Sequence, residues 1–293
     1  MQAFISNGLY NIIFACSLLI QLKTVRNILL AIAFTSSTSA YAQFDEVGLE
    51  GGIANYFGDL NIGLSLKNYK PAAGVFYRRN ISPHFAWKSN LNAGQLAFDS
   101  KLNNNAYWQY QNLNFRATFA EATSVIEFNF FKYKSNKTKD CRWSPFVFFG
   151  FGMMYYDLQA EYDGKWIALP PLATEGKSYN TLLFVLPFGG GLKFNIAKFI
   201  TLEIEEVYHH TYSDHLDDVS STYTGKTIHI NKNPTNIADP SNSANPLSHL
   251  VGKQRGEQFK DKYLLTFISL SYTFHTPHCP NPDVNDGFEI FDK

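Results

Sequence analysis

The chain has 293 residues, 25 basic and 25 acidic side chains, 16% aromatic residues and only 17% charged ones. The even charge balance gives no case for nucleic acid, and three scattered cysteines, Cys16, Cys141 and Cys279, are too few for a zinc site or a disulfide scaffold. Many aromatics with few charges suit a sheet protein with an aromatic girdle better than a soluble enzyme.

Residues 1–42 read as a targeting segment. Lys23 and Arg26 form a basic start, Ile28 to Phe34 is a short apolar run, and Ala40-Tyr41-Ala42 is a small-x-small cleavage site. Residues 1–22 then precede the true leader as an extension, and the mature chain starts at Gln43. Beyond residue 42 no apolar run approaches the roughly 20 residues of a spanning helix. The mature chain is therefore expected to be soluble outside the inner membrane or a β-barrel.

Eight strand candidates follow in order: Val47–Phe57, Ala73–Arg79, Phe85–Ala97, Leu113–Tyr133, Pro145–Asp157, Leu182–Phe194, Phe199–Tyr208 and Tyr263–Phe274. Along the seventh, Ile200, Leu202 and Ile204 alternate with Thr201, Glu203 and Glu205, which puts apolar and charged sets on opposite faces of a sheet. A soluble sheet does this with its polar face in water; a small membrane barrel does it with apolar residues to lipid and polar ones to a closed interior. The connections decide between them. Joins after strands two, four and six are short or modest, those after one, three, five and seven are longer, and 212–262 is the longest. A spanning barrel sorts its loops in this way, whereas a soluble sandwich has no reason to. The last strand carries a stripe of Leu264, Thr266, Ile268, Leu270, Tyr272 and Phe274, similar to the insertion signal on the final strand of outer-membrane barrels, although residues 275–293 follow it as a tail.

The expected fold is thus all-β: an eight-stranded antiparallel transmembrane barrel of the outer-membrane type over 43–274, with a periplasmic tail over 275–293. Both termini lie in the periplasm and outer-membrane lipid surrounds the wall. Eight strands enclose a space that side chains just fill. Glu203 and Glu205 should face it, with Glu121 and Glu127 as further candidates and Arg78, Arg116 and Lys193 as possible partners, forming a salt-bridge plug.

Asp214, Asp217 and Asp218 lie where the barrel rim should be, close to His209, His210 and His215. Such a set can serve a rim hydrolase or hold a cation; it can also be a capped turn, with Asp and Ser bonded to nearby amides. His209 and His210 are adjacent and point to opposite faces of a strand, and no EF-hand spacing is present. The capped turn is the reading adopted. No catalytic, metal or cofactor residues and no small-molecule substrate are assigned.

Several runs, taken together, resemble the PorG-like outer-membrane proteins of the Bacteroidetes type IX secretion machinery. They are Asn55 to Asn61, with Gly58, Asp59 and Asn61; Glu127 to Phe130, with Asn129; Leu172 to Gly176, with Thr174 and Glu175; Pro187 to Lys193; Ser213 to Ser220; and Arg255-Gly256. The runs follow the family's order over nearly all of the mature chain. His215, where an aromatic is expected, and the long tail depart from it. The resemblance implies a non-enzymatic part in protein secretion and gliding motility, with the periplasmic ring subunits of that apparatus as partners. A free-standing barrel for adhesion or envelope stability is the alternative, and a hydrolase using Asp214, Asp217 and Asp218 a lesser one.

Cys141, between strands four and five, and Cys279, in the tail, both fall on the periplasmic side, where disulfides persist. They can pair across the barrel mouth, pair with a partner subunit or stay free, and the sequence does not show their approach.

Overall fold

The structure is a computed structural model, and it describes residues 44–58, 60, 68–102, 109, 112–131, 142–197, 199–224, 228–230, 233–235, 237–241, 251–256 and 260–275. The expected leader, Asp59, Asn61, Cys141, Cys279 and residues 276–293 lie outside them.

The strands are β1 (Phe44–Phe57), β2 (Lys70–Asn80), β3 (Phe85–Asp99), β4 (Asn114–Asn129), β5 (Trp143–Tyr162), β6 (Lys165–Ala168), β7 (Leu182–Ala197), β8 (Ile200–Thr211), β9 (Ile228–Ile230), β10 (Asn233–Thr235) and β11 (Lys262–His275). Eight of them, all but β6, β9 and β10, pair antiparallel with their neighbours, and β1 pairs with β11 to close an up-and-down barrel. The register Phe44↔His275 sets both ends of the wall at one end of the barrel. The joins at 81–84, 130–142 and 198–199 lie there too; the four longer joins lie at the other end.

Alternation makes the wall. Along β5 every second residue is buried from Ser144 to Ala160, while Phe149, Phe151, Met153 and Tyr155 between them point outward and are more than half exposed. Leu49 and Leu270 do the same on β1 and β11. An apolar band of this kind has a favourable solvent only in lipid.

Strand ends differ from the sequence reading by up to three residues, and two differ by more. β4 stops at Asn129 and not at Tyr133, because Phe130 and Phe131 are both exposed and the alternation breaks. β5 runs past Asp157 to Tyr162 and turns through Asp163-Gly164, both at positive φ, into β6. Arg116 is also corrected. It shares parity with the outward residues of β4, donates to Gln159 Oε1 at 2.7 Å and lies over the Trp166 ring, so it is no partner for a lumenal carboxylate.

The interior has two layers. The half nearest the short turns is charged. Arg78, wholly buried, donates to Glu46 Oε2 at 2.8 Å and Glu203 Oε2 at 2.6 Å, and its Nε lies 2.8 Å from Glu127 Oε2. Lys88 reaches Glu205 at 2.7 Å and Glu50 at 3.4 Å, and Lys193 pairs with Glu127. Arg78 and Lys88 also both lie over the Phe76 ring, 4.9 and 4.3 Å from its centroid. That ring occupies the space above Gly48, where any Cβ would sit 2.3 Å from it, so a side chain at 48 would require the ring to shift off the cluster's two cations. The half nearest the long loops is apolar and includes Leu96, Phe98, Phe115, Phe119, Met154, Leu158, Leu265 and Phe267. His209 stacks on Tyr263 with centroids 4.3 Å apart and lies 3.4 Å from Glu121 Oε1. Side chains fill the bore.

Removing one partner from a buried ion cluster costs far more than weakening it. Arg78→Met is expected to lower stability by about 3–5 kcal/mol, because three carboxylates lose their shared cation. Glu46→Gln should cost clearly less, since Arg78 keeps Glu127 and Glu203. Urea unfolding followed by the shift in gel mobility of the unheated protein ranks the two; equal losses would show that the cluster does not depend on Arg78.

Candidate functional site: a clasp over the loop end

Many of the residues singled out by sequence gather at the loop end. In the β5–β7 join, Pro170 to Leu172 make one turn of 3-10 helix. The chain then reverses through Ala173 (φ 45°) and Gly176 (φ 80°), closed by Gly176 N donating to Ala173 O at 2.8 Å. This reversal presents Thr174 and Glu175 to the β8–β11 join. There Asp218 takes a left-handed conformation (φ 64°), one that Asp tolerates better than most residues.

Arg255 fixes the two joins to each other. Its buried guanidinium donates to Glu175 Oε1 at 2.9 Å and to the Asp218 carbonyl, and lies 3.5 Å from Asp218 Oδ2. Glu175 meanwhile accepts from Ser220 N at 3.0 Å and from Ser221 N and Oγ at 2.9 and 2.7 Å. Asp218 accepts from Tyr179 at 2.7 Å and Thr174 at 2.5 Å. Burial pushes the Asp218 carboxyl above the usual range, with the Arg255 charge opposing it. Burial also opposes the charge on Arg255, yet Asp218 and Glu175 hold its guanidinium above its ordinary value. Gly256 N donates to Ser221 O at 3.3 Å and continues the pairing.

A second tie reaches into the barrel. The Tyr56 hydroxyl, at the end of β1, lies 2.6 Å from Asp217 Oδ2 and 2.7 Å from Asp261 Oδ1. A hydroxyl has one proton, so it donates to one carboxyl and accepts from the other, which must itself be protonated. Asp261 is the group suited to that: burial, with the Asp217 charge beside it, pushes its carboxyl well above the usual range. Asp261 Oδ2 also accepts from Leu216 N at 2.8 Å, and Asp217 Oδ1 from Val219 N at 2.9 Å. Leu216 and Val219 are drawn into the apolar layer. Gly58 is explained here, since a Cβ on it would lie 1.8 Å from the Tyr56 hydroxyl and 2.3 Å from Asp261 Oδ1.

The clasp thus holds Gly58, Thr174, Glu175, Gly176, Asp217, Asp218, Ser220, Arg255 and Gly256, and Asp214 joins through Ser220, whose hydroxyl donates to Asp214 Oδ2 at 3.0 Å. Glu127, Asn129, Glu203 and Glu205 lie elsewhere, buried at the turn end of the bore. Sequence reasoning did not single out Tyr56 or Asp261. Tyr56 stood inside a quoted run, and Asp261 directly precedes the closing strand. Lys88, Glu46 and Glu50 were also missed, although their parity along β3 and β1 already placed them inside.

The three rim aspartates and three histidines do not form one site. His209 faces the bore, and His215 stacks on Tyr179 with centroids 4.7 Å apart. Asp217 and Asp218 spend their oxygens on backbone, tyrosine and arginine partners. Among the described residues no group of His, Cys, Asp and Glu is placed to hold a metal ion. The arrangement can lock a loop.

Asp261 has a folded pKa above its unfolded one. Its stabilising effect is therefore complete below about pH 4, the unfolded value. It is lost as the pH rises through the folded value. Amide exchange across 213–224 is expected to quicken as the pH is raised over that window, beyond the intrinsic rate change. Asp261→Asn, which keeps a donor for Tyr56 and an acceptor for Leu216, should flatten this response. Tyr56→Phe leaves both carboxyls without their shared hydroxyl and should cost about 1–3 kcal/mol at all pH values.

The fold resembles known outer-membrane barrels at low similarity. The attachment invasion locus protein Ail of Yersinia pestis is 10% identical, with a TM-score of 0.40 over 80% of this chain and 100% of that one. Neisserial surface protein A is 7% identical, with a TM-score of 0.39 over 80% and 99%. OprG of Pseudomonas aeruginosa is 9% identical, with a TM-score of 0.39 over 80% and 97%. Likeness at this level bears on neither activity nor partners. No curated protein matches the chain. The sequence profile described as a domain of unknown function (DUF6089) matches residues 25–232, most of the chain, and the chain belongs to that family.

Proposed function

We propose that this chain is an outer-membrane barrel and a non-enzymatic component of the type IX protein secretion machinery. The long loops face outward, and both termini and the short turns face the periplasm, where the ring subunits would meet them. The leader over 1–42 and a periplasmic tail after residue 275 belong to this reading. The observation that carries it is convergence. The runs that resemble the PorG-like family lie far apart in sequence; three of the six meet around Arg255 and Asp218, and a fourth, Asn55 to Asn61, joins them through Tyr56 and Asp217. A solid charged bore beneath a locked cap suits an anchor better than a channel. The apolar outer face supports a membrane setting, with lipid as its first partner.

Two measurements test it. Affinity capture from solubilised outer membrane is expected to bring down periplasmic ring subunits. Deletion of the gene should abolish release of secreted cargo while a periplasmic marker enzyme stays inside the cell. Leakage of the marker with cargo release intact would instead favour the free-standing envelope barrel.

A further inference from the structure

On the outer side of the clasp, the start of β7 and the segment after β8 border a cleft of about 590 Å³. Its apolar side is formed by Leu182, Phe184 and Tyr212, all exposed, with the Phe184 and Tyr212 rings 5.9 Å apart. They share parity with the lipid-facing residues of β7 and β8, at the loop end of the wall. Aromatic side chains at that level of a barrel mark the boundary between hydrocarbon and headgroups.

The polar side carries two lysines that the clasp does not use and one carboxyl oxygen that it leaves open. Lys177, from the β5–β7 join, and Lys260, just before β11, both line the cleft and are exposed. Neither makes an ion pair among the described residues. Asp214 also lines the cleft. It is 8% exposed; Oδ2 accepts from Ser220, and Oδ1 is buried with no hydrogen-bond partner among the described residues. A buried acceptor left unmet is costly, so a bound donor there gains more than it would in water. Burial pushes the Asp214 carboxyl upward, with Lys260 opposing, which reduces its repulsion of an incoming anion.

These features restrict the occupant. Two ammonium groups without an ion pair among the described residues, Lys260 acting on Asp214 only at longer range, leave room for an anion, and lysine binds phosphate as a point charge without demanding one geometry. A bare phosphate would leave Asp214 Oδ1 unmet, whereas a bare cation would meet two lysines. A molecule that satisfies both carries phosphate and a hydroxyl or amide donor, and the exposed aromatic side adds an apolar part. We propose that this cleft binds the phosphorylated sugar headgroup of an outer-leaflet lipid. Its phosphate lies on Lys177 and Lys260, a sugar hydroxyl or amide donates to Asp214 Oδ1, and the first acyl carbons rest on Phe184 and Tyr212. The proposal rests on the outward orientation of the loop end, but not on any role in secretion.

The test uses the full mature protein in detergent, where binding needs neither orientation nor a secretion partner. Native mass spectrometry compares three probes: bisphosphorylated lipid A, the same lipid with both phosphates removed, and glucosamine 1-phosphate. Lipid A should bind at least roughly tenfold more tightly than either of the others, the scale expected for one charge-assisted contact. The double variant Lys177→Ala, Lys260→Ala should lose the preference for phosphate while keeping heat-modifiable gel mobility, which reports the folded barrel. Asp214→Ala should weaken lipid A binding. Equal binding of the dephosphorylated lipid, an unchanged double variant, or tighter binding by Asp214→Ala would each overturn the proposal. Equal binding of glucosamine 1-phosphate would overturn its assignment to a lipid.

Discussion

The interior of this barrel depends on one guanidinium. Arg78 sits at zero exposure among Glu46, Glu127 and Glu203, which come from β1, β4 and β8. No strand of the wall could bury its own carboxylate alone, because an isolated charge out of water is far too costly. A planar donor with five N–H groups can serve several carboxylates at once, where an ammonium on the same stem serves fewer. The cluster around it holds three strong cations, Arg78, Lys88 and Lys193, against five carboxylates, Glu46, Glu50, Glu127, Glu203 and Glu205. Neutral donors make up part of the difference: Asn80 donates to Glu46 at 2.7 Å, and Ser271 at 3.2 Å. The cluster is thus a network in which each member needs the others, and it ties β1, β2, β3, β4, β7 and β8 together across the bore.

The loop end solves a different problem. A barrel filled with Leu, Phe and Met there would present an apolar surface to water unless something covered it. The β8–β11 join supplies the cover by pushing Leu216 and Val219 onto that layer. Chain so far from regular structure leaves amides and carbonyls to be met, and Glu175, Asp217, Asp218 and Asp261 meet many of them. Carboxylates suit that work because each accepts several donors. Gathering them costs repulsion, which Arg255 relieves at one cluster and a shared proton with Tyr56 relieves at the other. The acidic rim therefore has a structural account without catalysis.

The two layers divide the molecule's work. The charged layer holds the wall shut from within, and the apolar layer couples the wall to the clasp through Tyr56, which belongs to β1 and binds both Asp217 and Asp261. A wall joined in this way to its own cap suits a protein whose proposed task is to be held by other subunits.

The sequence by itself determined the wall. Period-2 alternation and the sorting of long and short joins come from side-chain direction and chain reach, which are local properties, and they identified eight strands and the inward parity of Glu203 and Glu205. Parity also pointed Arg116 outward, and ignoring it produced the one misplaced partner. What the tertiary structure alone decided is who meets whom. Lys88 finds Glu205 across the bore, 117 positions away, and Tyr56 finds Asp261 at a separation of 205. Such pairs depend on register and on the shear with which the sheet closes, and no local pattern carries either quantity. The same holds for Gly48, which reads as an ordinary glycine until the β1–β2 register sets Phe76 opposite it, and for the reason behind Gly58, which waits on Asp261 coming within 2.3 Å of where a side chain would begin.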